Sequence, residues 1–127
     1  MNALPNAILL IEDEPSVTAF VRAALERRGY TVIPAASGAE GLERLAKQSF
    51  GGVISDIRMP GAVNGAEVHE WIRAHRPELE HRTILISGDT ANSKTQALLA
   101  QSGIPCIEKP FRVQNLISVV EKTFGKP

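Results

Sequence analysis

The sequence contains one cysteine, Cys106, so no disulfide can form within the chain. This scarcity fits a reducing compartment, and we expect a cytoplasmic location. No apolar run approaches the ~20 residues that a helix needs to cross a bilayer, so we expect no membrane segment in this chain. The N-terminus lacks a basic region followed by a long apolar stretch, which argues against a secretory signal.

Neither sign of charge is in excess, because Lys+Arg and Asp+Glu each total 14. A protein that holds nucleic acid in a general basic field needs a positive surplus, so direct nucleic-acid binding is disfavoured. Internal repeats and low-complexity segments are also lacking. With 127 residues, 43% of them hydrophobic, the chain fits one domain with a packed core. We expect that domain to span 1–127, with its core at about 6–124.

Short apolar runs alternate five times with segments of helical spacing. The runs predict strands at 7–11, 30–33, 53–55, 83–86 and 104–107. Helical segments follow them, introduced by Pro15, Ser37, Asn64, Thr90 and Val113. The segment 90–102 has a polar first half, so its helix is expected to pack least firmly. This alternation predicts an α/β fold, a doubly wound, five-stranded parallel sheet covered by helices on both faces.

Polar side chains suited to phosphoryl chemistry stand at the ends of four predicted strands. Glu12 and Asp13 follow the first strand, Asp56 ends the third, Ser87 the fourth and Lys109 the fifth. Ligands of such sheets bind beyond the carboxyl ends of the strands, near the point where strand order reverses. We therefore expect these five side chains to converge at one edge.

Three clustered carboxylates, from Glu12, Asp13 and Asp56, would repel one another unless a cation neutralised them. Magnesium takes oxygen ligands and often bridges carboxylate to phosphate. An Asp56 oxygen could attack phosphorus to form an aspartyl phosphate, while Ser87 and Lys109 contact the phosphoryl oxygens. Taken singly, each residue also has an ordinary interpretation, as helix-terminal acids, turn residues or a surface lysine. Their order and shared placement favour the phosphoryl site.

Four motifs give the chain a resemblance to a known family. They are Ile11-Glu12-Asp13-Glu14, Asp56-Ile57-Arg58-Met59-Pro60-Gly61, Ser87-Gly88 and Lys109-Pro110-Phe111. Over about residues 6–124 the chain resembles the receiver domain of two-component response regulators. As a set the motifs are highly specific.

The resemblance implies a flavodoxin-like (βα)5 fold with strand order 2-1-3-4-5. It implies that Asp56 is the phosphoacceptor and that Glu12, Asp13, Asp56 and the backbone carbonyl of Arg58 hold Mg²⁺. Ser87 would be the switch hydroxyl and Lys109 the phosphate-pairing lysine, with a cis bond to Pro110. Such a domain is not an enzyme in the ordinary sense, but a signalling phosphoacceptor that assists its own phosphorylation.

The resemblance also implies partners. A histidine kinase or a histidine phosphotransfer protein would donate the phosphoryl group. An unidentified output partner would bind the face formed by the fourth helix, the fifth strand and the fifth helix. The chain could be a stand-alone response regulator, the receiver module of a hybrid sensor histidine kinase, or part of a regulator with an output domain.

Three departures from the family pattern stand out. Cys106 occupies the place of the usual aromatic residue on the fifth strand, so the coupling of a hydroxyl to a turning ring cannot operate in its usual form. Ser87 replaces the more frequent Thr and keeps the hydroxyl. The loop between Asp56 and Asn64 is one residue longer than the commonest pattern.

Other interpretations compete with a working receiver. A phosphorylation-independent pseudo-receiver would keep the fold as an interaction module. A small phosphohydrolase commonly has an Asp-x-Asp pattern on its first strand, whereas Glu12-Asp13-Glu14 stands here. The three histidines, His69, His75 and His81, could suggest a metal site, but solvated helix positions are the better interpretation of their spacing.

Overall fold

The computed structural model describes residues 7–59, 61 and 63–127. The strands are β1 (Ala7–Ile11), β2 (Thr31–Ala35), β3 (Gly52–Asp56), β4 (Thr83–Ser87) and β5 (Cys106–Glu108). They pair in parallel in the order β2-β1-β3-β4-β5. The helices are α1 (Pro15–Glu26), α2 (Gly38–Lys47), α3 (Gly65–His75), α4 (Ser93–Ser102) and α5 (Val113–Phe124), with a short 3₁₀ turn at Pro77–Leu79. The predicted fold class and strand order are confirmed.

Apolar side chains cover both faces of the sheet. On one face, Leu10 and Ile54 pack in a cluster with residues of α1 and α5 such as Leu25 and Leu116. On the other face, Leu9 belongs to a cluster that includes side chains of α2 and α3. Alternate residues of each central strand thus point to opposite layers, which explains why these strands are uninterrupted apolar runs.

The predicted helix starts at Ser37 and Asn64 are confirmed. The Ser37 side chain accepts a hydrogen bond from the backbone N–H of Glu40 at 3.1 Å. Asn64 and Glu67 form a reciprocal capping box. Each cap fixes where the chain turns from a strand end into a helix, and the Asn64 cap closes the segment that begins at Asp56.

Several boundaries differ from the prediction; β3 and β4, for example, extend to Asp56 and Ser87. β2 continues to Ala35, because its pairing with β1 extends to Ile11 and the edge position tolerates Pro34. β5 begins at Cys106 rather than at 104. α4 begins at Ser93 rather than at 90, because the Asn92 side chain accepts hydrogen bonds from the N–H groups of the first turn. The weak packing expected of this helix is observed, since Thr95 is its one buried residue.

Two features of the sequence lie partly or wholly outside the described residues. Pro60, of the motif after Asp56, lies outside the described residues, as does part of the loop that was predicted to be one residue longer.

Among the described residues, no helix combines the length and the apolar character needed to span a membrane.

The expectation that His69 is solvated is wrong. Its side chain lies in the buried stripe of α3 with Val68 and Ile72, and it is 4% exposed. Its Nε2 atom is buried and has no hydrogen-bond partner among the described residues. His75, on the same helix, is exposed and stacks on Trp71. Burial lowers the pKa of His69, and the nearby charges of Glu80, Arg73, Glu70 and His81 modify this effect in both directions.

This burial predicts a pH-dependent stability. A histidine with a lowered pKa in the folded state is protonated more readily once the chain unfolds, so its stabilising contribution is complete above the unfolded pKa of about 6.5 and is lost as the pH falls below it. We expect the free energy of unfolding to fall less between pH 7 and pH 5 in His69→Leu than in the wild type. Urea unfolding at both pH values measures it, with the exposed His75→Leu as control. Equal pH slopes in His69→Leu and the wild type would contradict the prediction.

Candidate functional site

The three carboxylates meet beyond the carboxyl ends of β1 and β3. Ile11 is paired with Ser55, which brings the next residues, Glu12 and Asp56, side by side. One ligand oxygen each of Glu12, Asp13 and Asp56 lies within 4.8 Å of the others. Glu12 and Asp56 are only 2% and 5% exposed. The sequence therefore predicted correctly that these residues gather at one edge.

The chemistry of this cluster fits a hard divalent cation such as Mg²⁺. All three donors are carboxylate oxygens, and their spacing leaves them within reach of one ion. Burial raises the pKa of Glu12 to about 7, and the neighbouring charge of Asp56 adds to the rise. The cluster is thus unfavourable as a set of bare anions, and a bound cation would relieve it.

Lys109 supplies the positive charge on the other side of the cluster. Its Nζ atom lies 2.7 Å from Asp56 Oδ2, 3.1 Å from Glu12 Oε1 and 3.2 Å from Glu14 Oε1. Burial alone lowers the pKa of Lys109, but hydrogen bonds to carboxylates, that to Asp56 foremost, raise it overall. Lys109 therefore stays an ammonium ion and offers N–H donors beside the Asp56 carboxylate.

Ser87, 3% exposed, ends the neighbouring strand. Its Oγ accepts a hydrogen bond from the backbone N–H of Asp89 at 3.0 Å, and its carbonyl accepts one from the backbone N–H of Lys109 at 2.8 Å. The Lys109–Pro110 peptide bond is cis, as the resemblance implied. The ends of β4 and β5 are thereby joined close to the carboxylates.

Arg58 contacts the carboxylate cluster with its backbone, not with its side chain. Its N–H donates to Asp56 Oδ1 at 3.2 Å, while its exposed guanidinium pairs with Asp89 at 3.3 Å. The backbone N–H therefore orients one oxygen of Asp56, and Lys109 binds the other. The role of the Arg58 carbonyl as a metal ligand stays a prediction.

Cys106 begins the edge strand β5, where it pairs with Leu85, two residues before Ser87. It is half-buried, and burial raises the pKa of its thiol, with further contributions from the charges of Glu108 and Asp56. A thiol kept neutral in this way fits a side chain that packs against the cluster of Ile57, Leu85 and Ile104. Beside it, the Thr90 hydroxyl donates to Glu108 at 2.7 Å and ties the loop before α4 to β5.

Two features were missed by the sequence interpretation. Glu14 is a direct partner of Lys109, although the sequence indicated only a helix-terminal acid. An apolar groove of about 440 Å³ lies beside Lys109 and is lined by Val17, Phe20 and Phe111. The Phe20 and Phe111 rings meet edge to face at 5.7 Å, and Phe20 is 42% exposed.

Fold and site together define a flavodoxin-like domain with an acidic pocket at the carboxyl edge of its sheet. Residues 8–121 match the family model described as the response regulator receiver domain, and the chain belongs to that family. Receiver domains are signalling domains of two-component systems and bind Mg²⁺ in an acidic cleft, where this chain has Glu12, Asp13 and Asp56.

Relatives of this chain include both sensor kinases and response regulators. Sensor kinase CckA of Brucella abortus is 33% identical over 94% of this chain, which spans only 12% of that protein. Response regulator receiver protein CpdR of the same organism is 31% identical over 91% of this chain and 93% of its own length. The receiver domain of a Pseudomonas aeruginosa sensor histidine kinase superposes with a TM-score of 0.82 at 23% identity, covering 96% of this chain and 99% of that one. Its structure is described with a magnesium ion coordinated in the active-site cleft.

Proposed function

We propose that this domain accepts a phosphoryl group on Asp56 from a histidine kinase or a histidine phosphotransfer protein. The observation that carries the proposal is the meeting of three carboxylates with one ammonium. Asp56 shares the acid cluster with Glu12 and Asp13, and Lys109 Nζ lies 2.7 Å from its Oδ2. This combination places a nucleophilic oxygen between a site for a cation and a donor for phosphoryl oxygens.

In this proposal an Asp56 oxygen forms a P–O bond as the P–N bond of the donor phosphohistidine breaks, and the imidazole nitrogen leaves with the electron pair. Glu12, Asp13 and Asp56, with the Arg58 carbonyl, would hold Mg²⁺, which when bound neutralises charge on the phosphoryl oxygens. Lys109 donates to one of these oxygens. The Arg58 N–H, 3.2 Å from Oδ1, keeps the carboxylate oriented.

The donor would approach over the groove of Val17, Phe20 and Phe111. This surface is apolar, partly exposed and continuous with Lys109, which itself lines it. Desolvation of such a patch would give a protein partner affinity that a small phosphodonor lacks. The partner then supplies proximity, while the groups that assist the transfer belong to the receiver.

Phosphorylation would alter the face of α4, β5 and α5, on which we place the output partner. Ser87 connects the site to this face, because its Oγ holds the N–H of Asp89 in the loop before α4. If the phosphoryl group drew the Ser87 hydroxyl toward itself, the hydrogen bond from Asp89 would be lost and the loop would be free to reorient. Because α4 is loosely packed, with Thr95 as its one buried residue, such a change should cost little free energy. The domain extent of 1–127 and the choice between a stand-alone regulator and a kinase module stay predictions.

The decisive experiment is the intact mass of the wild-type protein after incubation with Mg²⁺ and acetyl phosphate, and separately with a phosphorylated histidine donor. We expect a gain of one phosphoryl group, lost when a chelator removes the metal. A gain that survives chelation would contradict the assigned carboxylate site. No gain with either donor would favour the pseudo-receiver.

A further inference from the structure

The contact between Glu14 and Lys109 serves none of the roles proposed for the phosphorylation site. Lys109 has three N–H donors and faces three carboxylates. The ammonium forms hydrogen bonds with Asp56 and Glu14, and Glu12 Oε1 lies at a similar 3.1 Å. Glu14 thus takes one of the donors that a phosphoryl group would need.

Glu14 differs from the other two acids in its surroundings. Its side chain is 58% exposed, against 0% for Glu12 and 7% for Asp56. It does not belong to the carboxylate group that could hold a cation. A cation bound by that group would therefore engage Glu12 and Asp56 and leave Glu14 as the acid still available to Lys109.

The local structure does not explain the position of this side chain. Glu14 is the N-cap residue of α1, yet its side chain forms no capping hydrogen bond. It reaches instead to Lys109, 95 residues further along the chain. Its backbone N–H donates to Glu12 Oε2 at 3.1 Å, which fixes the backbone of Glu14 beside the cluster.

We infer that Glu14 is a positioning residue that competes with the phosphoryl group for the Lys109 ammonium. This inference rests on the proposed function. While Asp56 is unmodified, Glu14 holds the ammonium at the mouth of the site. When a phosphoryl group arrives, Lys109 must exchange Glu14 for a phosphoryl oxygen, so Glu14 weakens the binding of any tetrahedral anion at Asp56.

Beryllofluoride, a stable tetrahedral stand-in for the phosphoryl group, provides the test. Its apparent affinity at saturating Mg²⁺ is measured by ¹⁹F NMR for the wild type and Glu14→Gln. Because ion pairs with an exposed partner contribute about 0.2–1 kcal/mol, we expect roughly 1.4- to fivefold tighter binding to Glu14→Gln. The matched control is Glu43→Gln, because Glu43 pairs with Lys47 at a similar 3.1 Å but lies away from the site.

Salt distinguishes competition for Lys109 from a general loss of negative charge. In 1 M KCl the Debye length is about 3 Å, so a long-range field is screened, while a direct contact with the largely buried Lys109 is screened much less. A difference retained in high salt supports the competition. Equal affinities, weaker binding to Glu14→Gln, or a difference that vanishes in high salt would overturn it. Failure of the wild type itself to bind beryllofluoride would instead count against the proposed function.

Discussion

Asp56→Asn is expected to gain no phosphoryl group under conditions in which the wild type gains one. An amide oxygen is a poor nucleophile, and the variant loses the carboxylate that both faces Lys109 at 2.7 Å and completes the acid cluster. The exposed Glu14 carboxylate also contacts Lys109 but lies outside the acid cluster, so it should not replace Asp56 as the acceptor. Intact mass after incubation with Mg²⁺ and acetyl phosphate measures the effect.

Asp89→Asn is the matched control for this substitution. Asp89 pairs with Arg58 at the surface and lies outside the described acid cluster, so this variant should still gain the phosphoryl group. A phosphorylated Asp56→Asn would show that another residue is the acceptor. Loss of phosphorylation in Asp89→Asn as well would indicate that the loop, rather than the Asp56 carboxylate alone, controls the reaction.

Asp56→Asn should also be stabilised less by magnesium than the wild type is. A ligand that binds only the folded state at 100 times its Kd stabilises it by about 2.7 kcal/mol. With one of three charged donors replaced, Asp56→Asn should show a smaller rise in Tm on addition of Mg²⁺ than the wild type. This readout is independent of phosphorylation, so it tests the metal assignment separately.

The position of the site could be predicted from sequence because it follows from strand topology. Each apolar run that ends in an acid, hydroxyl or lysine marks a carboxyl end, and parallel strands bring those ends to one edge. The contacts of Glu14 could not be predicted in this way. Its placement depends on the angle at which the chain leaves β1 for α1 and on the reach of Lys109 from β5, neither of which a local pattern encodes.

His69 shows a different kind of failure. With Gly65, Val68 and Ile72 it forms a stripe at helical spacing, which is a signal present in the sequence. A polar side chain within such a stripe favours solvent exposure by its chemistry and burial by its spacing, and here the spacing decides. The start of α4 is obscured in a related way, because several polar residues at 90–94 could cap a helix and the local pattern does not single out Asn92.

Gly65→Ala should destabilise the protein, although this replacement in a helix normally stabilises by ~0.4–1 kcal/mol. A Cβ atom at Gly65 would lie 2.5 Å from the backbone oxygen of Asp56 and 2.7 Å from the Cα of Ile57. These are backbone atoms that no rotamer change can move aside. The Gly65 N–H also donates to the Ile57 carbonyl at 2.9 Å, so the start of α3 cannot shift without breaking this contact.

Overpacking of this kind typically costs ~1–3 kcal/mol, so the urea midpoint of Gly65→Ala should fall clearly below that of the wild type. Gly88→Ala is the control, because within the described part of the chain its Cβ would meet Lys109 Cβ alone, at an ordinary 3.9 Å. Gly65→Ala should also slow phosphorylation, since the strain is relieved by moving the backbone that carries Asp56. An unchanged midpoint would mean that α3 approaches β3 less closely than the structure indicates. A lower midpoint with an unchanged phosphorylation rate would place the adjustment in α3 and leave Asp56 in position.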